Sequence, residues 1–212
     1  MSDKYVLACD PGKSSGIALL AYNETEPAKL VKAWQFDNGV QGLLDWLDAY
    51  YAFDYDCCSG EPLADRVWVL PRSTHPSSSG YVRDSQLTVI SEKFTPLQGK
   101  GFAQTLDSTL PLVCEGVLIA HGIMPVYDSK EKRWQRPSLM YRHGGSTLAE
   151  KKKRSRAFLK KNGLYVLPKE LGTPDNNDAI SAILHGLNYI THTLNHRPTW
   201  DAYYETESEL SD

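Results

Sequence analysis

Four acidic residues of this chain stand where predicted strands end or a predicted helix begins. Asp10 closes an apolar run of strand length near the N-terminus, and Glu92 closes a second such run. Asp175 and Asp178 stand at the start of the last predicted helix, three residues apart, and are therefore expected on one face of it. A carboxylate at the end of a buried strand is costly unless a cation or hydrogen bonds offset its charge.

The spacing of these acids predicts a metal centre. If the strands ending at Asp10 and Glu92 are neighbours, their ends lie about 5 Å apart. A helix start docked there would bring all four carboxylates together, and they could not all stay ionised without cations. Carboxylate oxygens suit Mg²⁺ or Mn²⁺, and two such ions about 3.5–4 Å apart serve in-line phosphodiester hydrolysis. In the alternative interpretation, Asp175 only caps a helix and Glu92 pairs with a base such as Lys93.

The elements that must position these acids follow an α/β order. A turn at Pro11 and Gly12 between two apolar runs predicts a hairpin. Three strands followed by alternating helices and strands indicate an α/β sheet with helices on both faces. Strands are predicted at 5–10, 17–22, 29–36, 87–92, 123–127 and 164–167, and helices at 40–51, 109–121, 146–162 and 173–190.

Length and composition favour one domain, residues 1–195, with an insertion at about 54–84 that is rich in Ser, Pro and Gly. After Arg197 there are five acids and no base, so residues 196–212 are expected to form a disordered acidic tail. The sequence has no signal-peptide or membrane-spanning pattern, and its four cysteines lack paired spacing, which indicates the cytoplasm. The six histidines show no ligand spacing, and His185 is interpreted as a packing residue.

Positive charge is concentrated in one segment although the formal net charge is −3. Residues 130–161 hold twelve Lys or Arg and two acids, a local balance of +10. A polyanion such as nucleic acid is the partner this favours, with binding that weakens steeply as salt is added. A solvated helix face rich in lysine is the alternative. The candidate DNA contacts are Lys130, Lys132, Arg133, Arg136 and Arg142 in a linker and Lys152, Lys153, Arg154 and Arg156 on a helix.

Three motifs in order carry a resemblance to a known family. They are Asp10-Pro-Gly followed by Gly16, Glu92-Lys-Phe94 at a strand end, and Asp175-x-x-Asp178-Ala179 at a helix start. Together they resemble the RuvC-type Holliday junction resolvases of the RNase H-like (retroviral integrase) superfamily, from about Lys4 to Ile190.

The resemblance implies a five-stranded mixed sheet, three antiparallel strands followed by parallel ones, with helices on both faces. It implies a homodimer that nicks branched DNA and leaves 5′-phosphates, with two Mg²⁺ or Mn²⁺ ions on the four acids of each site. Four-way junctions would be the main substrate, with flaps or replication forks as others, in the cytoplasm of a bacterial cell or phage-infected host. Lys151 matches a lysine near the scissile phosphate, Phe94 loosely matches an aromatic against unpaired bases, and helix 109–121 would form the dimer contact.

The chain also departs from the family pattern. The insertion at 54–84 is long, and Pro111 interrupts a helix that is usually continuous. These departures leave junction selectivity open and fit a divergent, phage-encoded member. A less selective flap or branched-DNA nuclease, or an exonuclease, is the main alternative. A non-catalytic junction-binding protein and an actin- or Hsp70-like ATPase are others, although the ATPase would need a second phosphate-binding hairpin that the sequence lacks.

Overall fold

The central sheet is organised around its first strand. The computed structural model describes residues 3–52, 67–69, 81–83, 87–92, 106–121 and 147–205. Strand β1 (Lys4–Asp10) pairs antiparallel with β2 (Ser15–Tyr22), which pairs antiparallel with β3 (Lys29–Phe36). On its other side β1 pairs in parallel with β7 (Leu87–Ser91), so the strand order is β3-β2-β1-β7.

Both faces of β1 are buried because its residues are apolar at every position from 6 to 9. Val6 and Ala8 belong to one buried cluster, and Leu7 and Cys9 belong to another. Since successive side chains of a strand point to opposite faces, the sheet has a hydrophobic core on each side. Asp10 shares the face of Val6 and Ala8.

Helices cover both of these faces. On one face α1 (Val40–Tyr50) and α2 (Leu106–Ala120) supply Leu47 and Leu118 to the cluster of Leu7. On the other, α3 (Leu148–Lys161) and α5 (Asn177–Asn188) supply Leu159 and Ile183 to the cluster of Val6. Among the described residues, no helix combines the length and apolar character needed to cross a membrane. The helices are α1 (Val40–Tyr50), α2 (Leu106–Ala120), α3 (Leu148–Lys161), α4 (Pro168–Leu171), α5 (Asn177–Asn188) and α6 (Arg197–Trp200), with π-helical turns at Tyr189–Thr193 and Asp201–Glu205.

Helix α5 lies unusually close to the hairpin of β1 and β2. A Cβ added at Gly16 would overlap the backbone carbonyl of Asp178, and one added at Gly186 would overlap the side chain of Leu20. Gly16 pairs directly with Asp10 across the hairpin. The two glycines therefore allow the start of α5 to rest beside the end of β1.

The prediction of an α/β sheet with helices on both faces is confirmed, as are the first three strands and α1. The number of strands differs, because the described part of this sheet has four strands where five were expected. The predicted strand at 123–127 lies outside the described residues. The predicted strand at 164–167 is wrong: this segment connects α3 to α4 without joining the sheet.

Two predicted boundaries are also wrong. Helix α5 begins at Asn177 and not at Thr173, because Asn176 is its N-cap. The tail expected from residue 196 is folded as far as 205, because Thr199 and Tyr204 are buried and the Thr199 hydroxyl accepts a hydrogen bond from the Ala28 N–H at 2.8 Å. Residues 206–212 lie outside the described residues.

The predicted insertion at 54–84 contributes to a second, smaller sheet. Its antiparallel strands are β4 (Tyr51–Ala52), β5 (Val67–Val69) and β6 (Tyr81–Arg83), in the order β4-β5-β6. The segments that join these three strands lie outside the described residues.

We expect Gly16→Ala to lower the free energy of unfolding by about 2–3 kcal/mol, because the start of α5 would have to move off the hairpin. Gly116→Ala is the matched control, since a Cβ there meets no atom within 4 Å. The control should be neutral or stabilising by up to about 1 kcal/mol, because alanine favours a helix interior. Urea unfolding measures both changes, and equal stabilities for the two variants would contradict the close approach of α5.

Candidate metal centre

Asp10 and Glu92 stand side by side at the ends of neighbouring parallel strands. Cys9 is in register with Ser91, and the Glu92 N–H donates to the Cys9 carbonyl at 2.9 Å. The two strands are therefore neighbours, which is the condition under which their ends were expected to meet. Both side chains are partly buried, so their charges are poorly hydrated.

This crowding raises the pKa of Asp10 well above its usual range. Burial is the largest cause, followed by a hydrogen bond with the Glu92 carboxyl and by the negative charges of Glu92 and Asp178. A hydrogen bond from the Ser181 hydroxyl acts in the opposite direction. Burial and the neighbouring acids thus favour the protonated form of Asp10 when no cation is present.

Gln35 of β3 fixes the start of α5 against the sheet. Its side-chain oxygen accepts hydrogen bonds from the N–H groups of Asp178 and Ala179, both at 3.1 Å. Its side-chain nitrogen donates to the Asp175 carbonyl at 3.1 Å and to the Asp175 carboxylate at 3.0 Å. Gln35 thus satisfies two free N–H groups of the first helical turn, as a capping side chain does, but from a different element.

Asp178 faces the strand ends, whereas Asp175 precedes the helix. Burial is the main reason that the pKa of Asp178 is raised, and a hydrogen bond from Ser14 and the charge of Lys152 oppose it. Asp175 is exposed, and its pKa is lowered chiefly by a hydrogen bond from the Asn177 N–H. The expectation that both acids share one helix face is wrong because the helix begins after Asp175.

His185 joins the cluster from farther along α5. Its Nε2 lies 3.6 Å from a carboxylate oxygen of Glu92, and the residue is only 6% exposed. Asp10, Glu92 and His185 each place one ligand atom within 4.8 Å of the others. His185 is buried, as its expected packing role requires, but its side chain also faces the carboxyl groups of Asp10 and Glu92.

Sequence reasoning missed both Gln35 and His185. Asp178, Ser181 and His185 follow the i, i+3, i+7 spacing of one helix face, and this spacing is a signal that would have found His185. Gln35 lies between Trp34 and Phe36 and gives no comparable signal, because an isolated polar residue in a strand is common at a solvated position.

The predicted basic residues divide between described and undescribed parts of the chain. On α3, Lys152 and Arg156 are half-buried, and Lys153 and Arg154 are exposed. The charge of Lys152 acts to lower the pKa values of Asp175 and Asp178, although burial keeps that of Asp178 raised overall. The Arg156 guanidinium donates a hydrogen bond to the Asn177 side chain at 2.8 Å. Lys151 is adjacent to them on the same helix. Residues outside the described ranges are Phe94, Lys130, Lys132, Arg133, Arg136 and Arg142.

The donor set fits a divalent cation on chemical grounds. Asp10, Glu92 and Asp178 offer carboxylate oxygens whose mutual repulsion a cation would relieve. Within the described ranges the buried Nε2 of His185 makes no hydrogen bond, and it lies within 4.8 Å of carboxylate oxygens of Asp10 and Glu92 as a further possible ligand atom. These four residues could hold the metal, with Asp175 at the edge of the cluster.

No family model, curated protein or solved structure matches this chain. What the protein does therefore has to be inferred from its own residues and their geometry.

Replacing Gln35 by alanine should lower the free energy of unfolding by about 2–3 kcal/mol, because two N–H groups of α5 and the side chain of Asp175 lose their partner. Gln41→Ala is the control, since Gln41 makes an exposed hydrogen bond to Asp45 within α1, and it should cost less than about 0.5 kcal/mol. Urea unfolding compares the two. A Gln35→Ala variant as stable as Gln41→Ala would refute the docking role of Gln35.

Without divalent ions, the protein should lose stability as pH rises above the ordinary Asp value of 3.8. Folded Asp10 keeps its proton at pH values where the unfolded chain has released it, so the folded state binds more protons and a rising pH favours unfolding. Asp10→Asn should reduce this decline and stabilise the metal-free protein by about 1–2 kcal/mol at neutral pH. Asp45→Asn, on the exposed face of α1, should keep the decline.

Urea unfolding in EDTA between pH 4.5 and 8 measures the effect. A metal-free protein whose stability is the same across this range, or an Asp10→Asn variant with the slope of the native protein, would contradict the buried carboxyl pair.

Proposed function

We propose that this protein is a divalent-metal-dependent endonuclease with an RNase H-like fold that nicks branched DNA, with four-way junctions as its preferred substrate. The observation that carries the proposal is the convergence of Asp10, Glu92 and Asp178 at one edge of the sheet, although they are far apart in the chain. The carboxyl groups of Asp10, Glu92 and Asp178 act on one another, and a cluster of like charges of this kind is typical of functional sites.

The arrangement of elements supports the RNase H-like part of the proposal. Three consecutive antiparallel strands are followed by β7, which returns parallel to β1. The acids stand at the end of β1, after β7 and at the start of α5, which is the order in which the resolvase motifs occur in the sequence. A shared architecture alone would not argue function, so the proposal rests on these side chains.

The expected cofactor is Mg²⁺ or Mn²⁺, with two ions on the four acids as the resemblance implies. When bound, such ions lower the pKa of a water molecule and offset the charge that builds up on the phosphate. Asp10, Glu92 and Asp178 would hold the ions, while Gln35 and Gly16 would keep Asp178 against the strand ends. Asp175 is exposed at the edge of the cluster and would complete the set.

On α3, Lys152 is a better candidate than Lys151 for the contact to the scissile phosphate. The resemblance placed Lys151 in this role, but the charge of Lys152 acts on both Asp175 and Asp178. Lys153, Arg154 and Arg156 on α3 would bind neighbouring phosphates, and contacts of this kind position DNA without reading its sequence.

The proposed homodimer has support from α2. Leu112, Val113 and Ile119 on this helix are 43%, 45% and 38% exposed, an unusual set of large apolar side chains to leave in water. Two copies would supply the two sites that symmetric incision of a four-way junction needs.

Cleavage of labelled DNA tests the proposal. Four-way, three-way, flap, single-stranded and linear DNA are incubated with the protein and Mg²⁺, Mn²⁺ or EDTA. We expect paired nicks on the four-way junction with either ion and none in EDTA. Asp10→Asn should cut at least about 10³-fold more slowly while still binding the junction, because only the catalytic centre is changed.

Asp45→Asn, an exposed change on α1, is the matched control and should cut normally. Equal cutting of flaps and junctions would instead favour the less selective nuclease. Undiminished cutting by Asp10→Asn would exclude the proposed centre.

A further inference from the structure

One buried group in the metal centre is unexplained by a carboxylate-only site. His185 is 6% exposed, and its buried Nε2 atom has no hydrogen-bond partner among the residues that the structure describes. The nearest carboxylate oxygen of Glu92 lies 3.6 Å away, which is beyond hydrogen-bond length. Of the buried polar atoms in this state, the nitrogen of His185 lies within 4.8 Å of carboxylate oxygens of Asp10 and Glu92, so a cation bound between them would give it a partner.

The scaffold holds this nitrogen in place. His185 precedes Gly186, where α5 packs so closely on the sheet that an added Cβ would overlap Leu20 and contact Ala8 at 3.3 Å. Gln35 fixes the start of the same helix, two turns earlier. The backbone of His185 is therefore held at a fixed distance from the ends of β1 and β7, and only rotation of the side chain changes the position of its imidazole.

The distances suit one small ion. Ligand atoms of Asp10, Glu92 and His185 all lie within 4.8 Å of one another. Two oxygens on opposite sides of a Mg²⁺-sized ion are about 4 Å apart, so small side-chain rotations would bring all three residues into reach.

A nitrogen ligand changes which ion is preferred. Mg²⁺ prefers oxygen ligands and retains much of its water, whereas imidazole suits transition-metal ions better. Resting on the metal centre of the proposed function, we propose that His185 supplies a nitrogen ligand to the ion held by Asp10 and Glu92 and makes this position select Mn²⁺ over Mg²⁺. An all-carboxylate set would lack this selectivity.

Pulsed electron paramagnetic resonance on the full-length protein with Mn²⁺ tests the ligand directly. Bound Mn²⁺ should show modulation from a coordinated imidazole nitrogen, which changes when the histidines carry ¹⁵N. The signal should be lost in His185→Leu and His185→Gln and kept in His121→Gln. His121 is a half-buried histidine at the end of α2 that bonds the Val117 carbonyl. The leucine variant preserves apolar packing and the glutamine variant preserves polarity, so at least one is expected to fold.

Titration calorimetry measures the selectivity. Losing His185 should weaken Mn²⁺ binding by about 10- to 100-fold and Mg²⁺ binding by less than about 3-fold, so the preference for Mn²⁺ falls by at least about 3-fold. Equal losses for both ions would mean that His185 only positions Glu92 and would overturn the inference. Bound Mn²⁺ without nitrogen modulation would also overturn it, even if the protein cuts DNA. Nitrogen modulation in a protein that cuts no DNA would uphold the ligand and refute the proposed function.

Discussion

Like charges held together away from water are the constraint on which this structure depends. Asp10 and Glu92 are fixed at adjacent strand ends by the parallel pairing of β1 with β7, and Asp178 is brought to them by α5. Burial and the negative charges of Glu92 and Asp178 raise the pKa of Asp10, which favours its neutral form. A divalent cation would lessen the repulsion between these carboxylates, so the energetic cost of the cluster and the chemical use proposed for it have the same origin.

The remaining structure serves to hold these charges in place. Apolar residues on both faces of β1 make it a central strand, so its last residue cannot move independently of two hydrophobic clusters. Gly16 and Gly186 let α5 lie close, and Gln35 caps its start from β3. Metal sites generally require this kind of support, in which rigid elements and hydrogen bonds orient the side chains that would bind the ion.

Local patterns in the sequence were enough to predict much of the sheet and the acids at two strand ends, although the pairing of these strands was only assumed. The apolar runs before Asp10 and Glu92 indicate buried strands, and their meeting follows from the way parallel strands end at one edge. The start of α5 was misplaced because Pro174 and Asp175 are typical of a first helical turn, yet the cap is Asn176. Gln35 caps the start of α5, about 140 residues further along the chain, and no pattern in the sequence around Gln35 indicates this contact.

Diffraction from crystals grown with Mn²⁺ tests the central claim most directly, because anomalous scattering locates the ion without reference to activity. We expect an anomalous peak bonded to the carboxylates of Asp10 and Glu92, with Asp178 beside the same ion. Ordered crystals in which these carboxylates bind no ion at saturating Mn²⁺, or in which Asp178 lies far from Asp10, would contradict it.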